Sequence, residues 1–436
     1  MINWSINRSS ISNSESPIPS LLHWFIITDN ITYLYIKKTI HDWEQRKLNE
    51  VSIKITEKNK DNMFVETFTN SAEFGIINQR DYFDKDISNE KNLNTYYIVR
   101  NDDFVYNPRI SNFAPVGPIN RNKLNKTGVM SPLYYVFRTH DINKAYLENY
   151  FNSSKWHKFM KLNGDSGARS DRFAIKDSVF NTMPIPYPNL LEQDEIGKFI
   201  NYVENVIALH QRKLEQLEKL KQALLQQMFP QNDETVPKLR FANFNDEWEQ
   251  HKLGELGKTK SGTGFPDDEQ GGEKGIPFFK VSDMNNIGNE HELKNSNNYV
   301  DEEQLKKRNW KPIMNVPAII FAKVGAAIML NRKRIVRIPF LLDNNTMAYI
   351  FDDSWNSDFG KVLFETIYLP RYAQVGALPS YNGSDINSIK IFVPNKNEQE
   401  KIGVFFKALD NLITIHQQKL NYYKLFKQTL LQLMFV

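Results

Sequence analysis

Gln193–Phe229 reads QDEIGKFINYVENVIALHQRKLEQLEKLKQALLQQMF, and Gln399–Phe435 reads QEKIGVFFKALDNLITIHQQKLNYYKLFKQTLLQLMF. Laid together without a gap, 17 of 37 positions are identical, where unrelated segments would share about two. The spacing is about 206 residues, so the chain is a duplication. A second matched pair opens each copy: Asp42-Trp43-Glu44-Gln45-Arg46-Lys47-Leu48 against Glu247-Trp248-Glu249-Gln250-His251-Lys252-Leu253. Each copy therefore runs from a short opener through a long variable region to the shared segment.

The shared segment is predicted to be helical. Asn189 and Asn395 stand where N-caps belong, with Glu192 and Glu398 three residues on in capping-box spacing, and Pro188 and Pro394 just before. Pro230 closes the first copy, because it lacks the N–H and clashes with the preceding turn. Between these limits the apolar residues keep a heptad. One seam position takes Ile200, Ile207, Leu214, Lys221 and Met228, the other Val203, His210, Leu217 and Leu224. The second copy repeats it with Phe406, Ile413, Leu420, Lys427 and Met434, and with Leu409, His416, Tyr423 and Leu430. A pseudo-twofold relating the copies makes the helices antiparallel, each roughly 52 Å long at about 1.5 Å per residue. His210 and His416 then meet near mid-length as register-setting polar residues rather than metal ligands. Lys221 and Lys427 snorkel or fix register.

With 436 residues, 41% of them apolar and 24% charged, the chain has room for two or three cored domains. Fifty-five Lys+Arg against 51 Asp+Glu leave a net charge of only +4. Cysteine is absent, which removes disulfide scaffolds, thiolate metal centres and thiol nucleophiles. No apolar run reaches the length of a membrane span, and Leu21–Ile27 is too short and poorly flanked for a secretory signal, so a cytoplasmic protein is expected. No phosphate loop, HExxH, GxSxG or Asn/Asp-Pro-Pro-aromatic tetrapeptide occurs, and Ser261–Phe265 is a glycine-rich loop without the flanks of a nucleotide fingerprint. The eight histidines lack paired ligand spacing. Catalysis by this chain is not expected.

The variable regions share little sequence. Tyr96–Val99, Phe104–Tyr106, Leu133–Arg138, Ile319–Phe321 and Met347–Phe351 read as strands, and Asn143–Leu162 and Trp355–Ala373 as helices. Phe104–His140 and Gln304–Leu342 contain no acid and occupy corresponding places in the two copies. Matched acid-free basic windows interleaved with aromatics favour a polyanion-binding surface over plain solvated faces. Gly-rich polar clusters at Gly164–Arg172 and Gly376–Gly383 would allow close backbone approach. The candidate contact residues are Asn107, Arg109, Arg121, Lys123, Lys126, Arg169, Ser170 and Arg172 in the first copy. In the second they are Lys260, Lys323, Arg332, Lys333, Arg334, Ser380 and Asn382.

The openers Trp43–Leu48 and Trp248–Leu253, the lead Pro237-Lys238-Leu239-Arg240-Phe241, the helix starts Glu192–Gly197 and Glu398–Gly403 and the helix ends Lys221–Phe229 and Lys427–Phe435 together resemble the specificity subunits of type I restriction–modification enzymes. The likeness spans roughly residues 41 to 436. It implies an α+β chain with two mixed target-recognition domains joined by a long antiparallel two-helix coiled coil. The expected boundaries are an atypical extension at 1–40, recognition domain 1 at 41–188, helix 1 at 189–230, linker and recognition domain 2 at 231–394, and helix 2 at 395–436. The resemblance further implies recognition of a bipartite asymmetric site on double-stranded DNA by a non-catalytic subunit. Its partners would be two modification (methyltransferase) subunits and restriction (translocase and endonuclease) subunits, and S-adenosylmethionine, ATP and Mg would be bound by those partners. From the residues alone, a specificity component of a type II-like system and a coiled-coil adaptor joining two protein-binding domains remain open.

Overall fold

The structure is a computed structural model that describes residues 43–82, 90–166, 171–231, 234–374 and 378–435. The extension 1–40 and the candidates Arg169 and Ser170 lie outside the described residues. The chain forms two compact units, one of residues 1–198 with 430–436 and one of residues 199–429.

In the first unit, the opener strand Glu44–Lys47 pairs antiparallel with Pro184–Tyr187, the strand that leads into the long helix. A four-stranded antiparallel sheet follows in the order 52–54, 135–139, 104–106, 119–121. Val99, Val105, Met130 and Val136 build its apolar core. The second unit repeats this plan on different residues. Glu249–Lys252 pairs with Lys390–Val393, and an antiparallel sheet runs 257–261, 346–351, 318–322, 333–336. It adds a three-stranded sheet, 299–300, 276–279, 341–342.

The helix α1 (Lys144–Asn152) is shorter than the sequence predicts. Ser153 closes it, its hydroxyl donating to the Tyr150 carbonyl at 2.6 Å, and a separate helix forms at His157–Asn163. The predicted helix Trp355–Ala373 likewise stops at Thr366, and Pro370 starts a separate 3-10 turn, Leu369–Tyr372.

The shared segments form α2 (Leu190–Gln227) and, after α3 (Ser357–Thr366), α4 (Lys396–Met434). Asn189 and Asn395 are their N-caps, accepting from the N–H of Glu192 at 3.0 Å and of Glu398 at 3.1 Å. The reciprocal half of the capping box is not used in the second copy. Glu398 is fully buried and accepts from Nε and Nη2 of Arg240 at 2.7 and 2.8 Å.

A pair of glutamines seats each helix on its unit. Gln193 accepts the Asn143 N–H at 2.8 Å and donates to the Pro188 carbonyl at 2.8 Å. Gln399 accepts the Asn356 N–H at 2.8 Å and donates to the Pro394 carbonyl at 3.0 Å. Asn143 and Asn356 are themselves the N-caps of α1 and α3. Four residues on, a β-carbon at Gly197 would lie 3.1 Å from the Ala145 methyl, and one at Gly403 only 2.7 Å from the Phe359 nitrogen. Glycine there lets two helix starts touch.

Within the second unit α2 and α4 run antiparallel, as the ring contact Phe199–Phe426, the ion pair Glu204–Lys427 at 2.6 Å and the pair His210–His416 require. Every seam position named above is buried or half-buried. Lys221 does not snorkel: its ammonium binds Glu365 of α3 and Asp410 of α4, each at 2.6 Å, with only 13% of the side chain exposed. Each helix ends on an aromatic cluster. Phe229 stacks on Phe359 and edges Trp248, while Phe435, wholly buried, packs on Tyr146 and Tyr150 in the first unit.

The His210 and His416 Nδ1 atoms lie 2.9 Å apart, so at least one ring must offer a lone pair, and His210 also stacks on Tyr423. Burial first, then His416 and Lys419 for His210 and Lys419 and Lys213 for His416, hold both below the ordinary imidazole value of 6.5. The unfolded chain therefore binds more protons than the folded one as pH falls through 6.5, and stability falls with it. The thermal midpoint is expected to drop between pH 7.5 and 5.5, and the double variant His210→Asn, His416→Asn to lose part of that slope. Half-buried His157 and His291, also held low chiefly by burial, supply the remainder.

Candidate nucleic-acid interface

The same hairpin of the same sheet carries the candidate surface in both units. In the first, strands 104–106 and 119–121 are joined by residues 107–118; in the second, 318–322 and 333–336 are joined by 323–332. The first loop is fixed at its base. Asn70 donates to the Val105 carbonyl at 2.7 Å and accepts from the Asn120 side chain at 2.7 Å, while Asn107 donates to the Asn70 carbonyl at 2.8 Å. Gly117, at φ +83, passes so close to Asn107 that a β-carbon would lie 2.1 Å from its carbonyl oxygen.

A second segment crosses each loop base. The Ile110 N–H donates to the Asp171 carbonyl at 3.0 Å and the Phe173 N–H to the Pro108 carbonyl at 2.8 Å, which sets Arg109 opposite Arg172. In the second unit the Tyr381 N–H donates to the Lys323 carbonyl at 3.0 Å and the Gly325 N–H to the Pro379 carbonyl at 2.9 Å, setting Val324 opposite Ser380. Each basic tract is thus joined to the polar cluster that precedes the long helix of its own copy, more than 50 residues later in the chain.

Four candidates carry charge with neither an ion pair nor a side-chain hydrogen bond among the described residues: exposed Arg109 and Lys260, and half-buried Arg172 and Lys323. Most of the others hold partners within the fold, Lys123 and Lys126 with their side chains still more than half exposed. Asn107 is spent on its turn, its side-chain oxygen accepting the Arg109 N–H at 3.0 Å. Arg121 bonds Glu148 at 2.7 Å and Asp102 at 3.5 Å, with 15% of its side chain exposed. Lys123 shares Glu148 at 2.6 Å, and Lys126 pairs with Glu66 at 3.1 Å. Arg332 donates to the Asn285 side chain, and Arg334 to the carbonyls of Asn289 and Lys333. Lys333 donates to the Ile367 carbonyl at 2.6 Å, and burial pushes its ammonium down to about 8. Asn382 caps the short helix Gly383–Asn387. The windows are acid-free in sequence only, because Asp102, Glu148 and Glu66 sit across from them in space.

One group of possible metal ligands occurs among the described residues: His291, Glu365 and Asp410, with ligand atoms within 4.8 Å of one another. Lys221 and Lys361 already bind both carboxylates, so a cation would have to displace two ammonium groups. The cluster is an ion lock joining α2, α3 and α4.

The sequence model of the type I restriction modification DNA specificity domain matches residues 40–219 and again 245–422. The chain belongs to that family. The specificity subunit of the type I restriction enzyme MjaIX of Methanocaldococcus jannaschii is 27% identical over 334 residues, 71% of this chain and 69% of that protein. That of MjaVIII from the same organism is 22% identical over 269 residues, 56% of this chain and 59% of that protein. The S subunit of the type I restriction–modification system of M. genitalium shares the fold with a TM-score of 0.58, at 14% identity over 92% of this chain and 98% of that one. A chain from a study of complex assembly and conformational transition in the type I R-M system superposes at 0.51, with 15% identity over 89% and 96% of the two chains. Among the described residues no helix is long and apolar enough to cross a membrane.

Two structural roles in these specificity domains were missed by sequence reasoning, although their signals were in view. Gln193 and Gln399 recur at the same helix position with glycine four residues on, which marks a docking contact. Arg240, the arginine of the PKLRF lead, is the partner of Glu398. The ion-paired and exposed arginines should separate by stability. Arg121→Ala leaves Glu148, itself 14% exposed, short of a partner and is expected to cost about 1–3 kcal/mol. Arg109→Ala should leave the thermal midpoint unchanged, as a thermal melt of each variant would show.

Proposed function

We propose that this chain reads a bipartite, asymmetric site on double-stranded DNA, one half-site per unit, and directs modification and restriction subunits to it in the cytoplasm. The observation that carries this reading is the repeated hairpin base. One scaffold recurs in both units with unpaired cations at the same strand end, while the loops built on it differ. Cations held at a fixed strand end neutralise phosphates and set the register of the duplex, and loop side chains then read base edges. Different loops on equivalent scaffolds read different half-sites, so the target is not a palindrome. The antiparallel α2–α4 pair sets the unread spacer between the half-sites and carries the two modification subunits.

In this reading the chain contributes recognition and no chemistry of its own. S-adenosylmethionine is bound by the modification subunits, and ATP and Mg by the restriction subunits.

Two measurements test the proposal. In a salt titration of duplex binding by the assembled complex, Arg109→Ala and Lys323→Ala are each expected to reduce the slope of log affinity against log salt by about 1, with equal losses on target and unrelated duplexes. An unchanged slope in both would remove these residues from the DNA face. Methylome sequencing of cells carrying the complex defines the target; exchanging residues 42–188 for those of a relative should then change one half-site only. A change in both would end the modular reading.

A further inference from the structure

We propose that Phe113 in the first unit, and Met329 with Leu330 in the second, are specificity residues that make apolar contact with bases of the DNA target. This rests on the reading of the hairpin bases as a DNA face. Phe113 is 76% exposed, Met329 58% and Leu330 57%. Single exposed apolar side chains are common on protein surfaces, so exposure alone decides nothing. The argument comes from where these three stand and how they are held.

All three lie in the equivalent loops 107–118 and 323–332, beyond the cation at each loop base. Both loops are closed structures. Ser111 and Ala114 exchange backbone hydrogen bonds at 3.1 Å each, making a tight turn with Asn112 and Phe113 at its tip. The Tyr106 hydroxyl donates to the Val116 carbonyl at 2.9 Å, and Ala114, Val116 and Pro118 are buried beneath the turn. In the second unit the 3-10 turn Ala326–Leu330 is pinned by Ile328, 2% exposed. Asn331 follows at φ 49, its side-chain oxygen accepting the Leu369 N–H at 3.1 Å. Met329 and Leu330 project between these two pinned residues.

Two unrelated loop sequences thus place a large apolar side chain on a rigid tip, with a cation free of ion pairing at the base. Phosphates held at the base bring base edges or a base step to the tip. Phe, Leu and Met are suited to that position, as partners of a thymine methyl or as wedges at a step. The ordering cost is low, because the turns are already formed.

The test uses the full chain assembled with its modification subunits, the target from methylome sequencing, and an unrelated duplex of equal length. Phe113→Ala should weaken target binding about tenfold, an effect the size of one mismatched base pair. Affinity for the unrelated duplex and the salt slope should be unchanged, and Phe113→Trp should retain most of the target affinity. Met329→Ala with Leu330→Ala should do the same through the other half-site. On a target whose first half-site is already scrambled, Phe113→Ala should cause no further loss. Equal affinity of Phe113→Ala and the parent chain for the target overturns the proposal, as does an equal loss on both duplexes. If Arg109→Ala still lowers the salt slope, that result leaves the DNA face standing. If Arg109→Ala is also silent, the DNA face itself is misplaced.

Discussion

The side-chain amides of Gln193 and Gln399 hold the point on which the architecture turns. Each amide joins the N-cap of a recognition-unit helix to the proline carbonyl before a long helix, using one acceptor and one donor of the same planar group. Both glutamines are buried, so the bonds are shielded from water, and each is worth about 0.5–1.5 kcal/mol net. Losing one partner would cost more, because a buried N–H would be left without an acceptor. Gly197 and Gly403 complete the joint by removing the β-carbons that would hold the helices apart. Together they bring the first turn of each long helix against the short helix on which it docks.

The seam between α2 and α4 is apolar where it needs adhesion and polar where it needs register. Leu214, Leu217, Leu420 and Leu430 supply the buried area. The histidine pair and the two lysines oppose slippage, since a one-turn shift would leave each buried without its partner. The lysines are not equivalent. Lys427 meets one carboxylate, Glu204, across the pair. Lys221 meets Asp410, the counterpart of Glu204, and additionally Glu365 from α3, which ties a recognition-domain helix into the seam of the second unit.

The helices, their caps, their seam and the duplication were legible because they depend on local periodicity and on residues three to seven apart. Strand positions were legible for the same reason: 104–106 and 318–322 are short apolar runs bounded by turn residues. The charge windows did not reveal which cations are paired, because ion pairing is decided in space. Arg121 and Lys123 find Glu148 on a helix 25 residues away, and Lys307 and Arg308 find Glu269 from about 40 residues back, holding that carboxyl down to about 2. A stretch chosen for lacking acids leaves those partners outside it. Juxtaposition of Arg109 with Arg172 was hidden likewise, since it needs a backbone bridge between segments 63 residues apart.

That sorting of cations changes the expected energetics of recognition. Fourteen basic residues stand in the two acid-free windows, and a duplex touching all of them would be held mainly by charge, with a salt slope near −12. Most are bound internally. A contact set of Arg109, Arg172, Lys260 and Lys323 corresponds to a slope of about −4. On that proposed contact set, non-specific attraction by this chain is weak, in line with its net charge of +4. Weak non-specific attraction favours discrimination, because a reader held tightly everywhere spends its time on unrelated sequence. On the proposed reading, affinity for the target then comes from contacts that form only on the correct bases. The places the proposal assigns to them are the loops 107–118 and 323–332, unlike in sequence on matching hairpins.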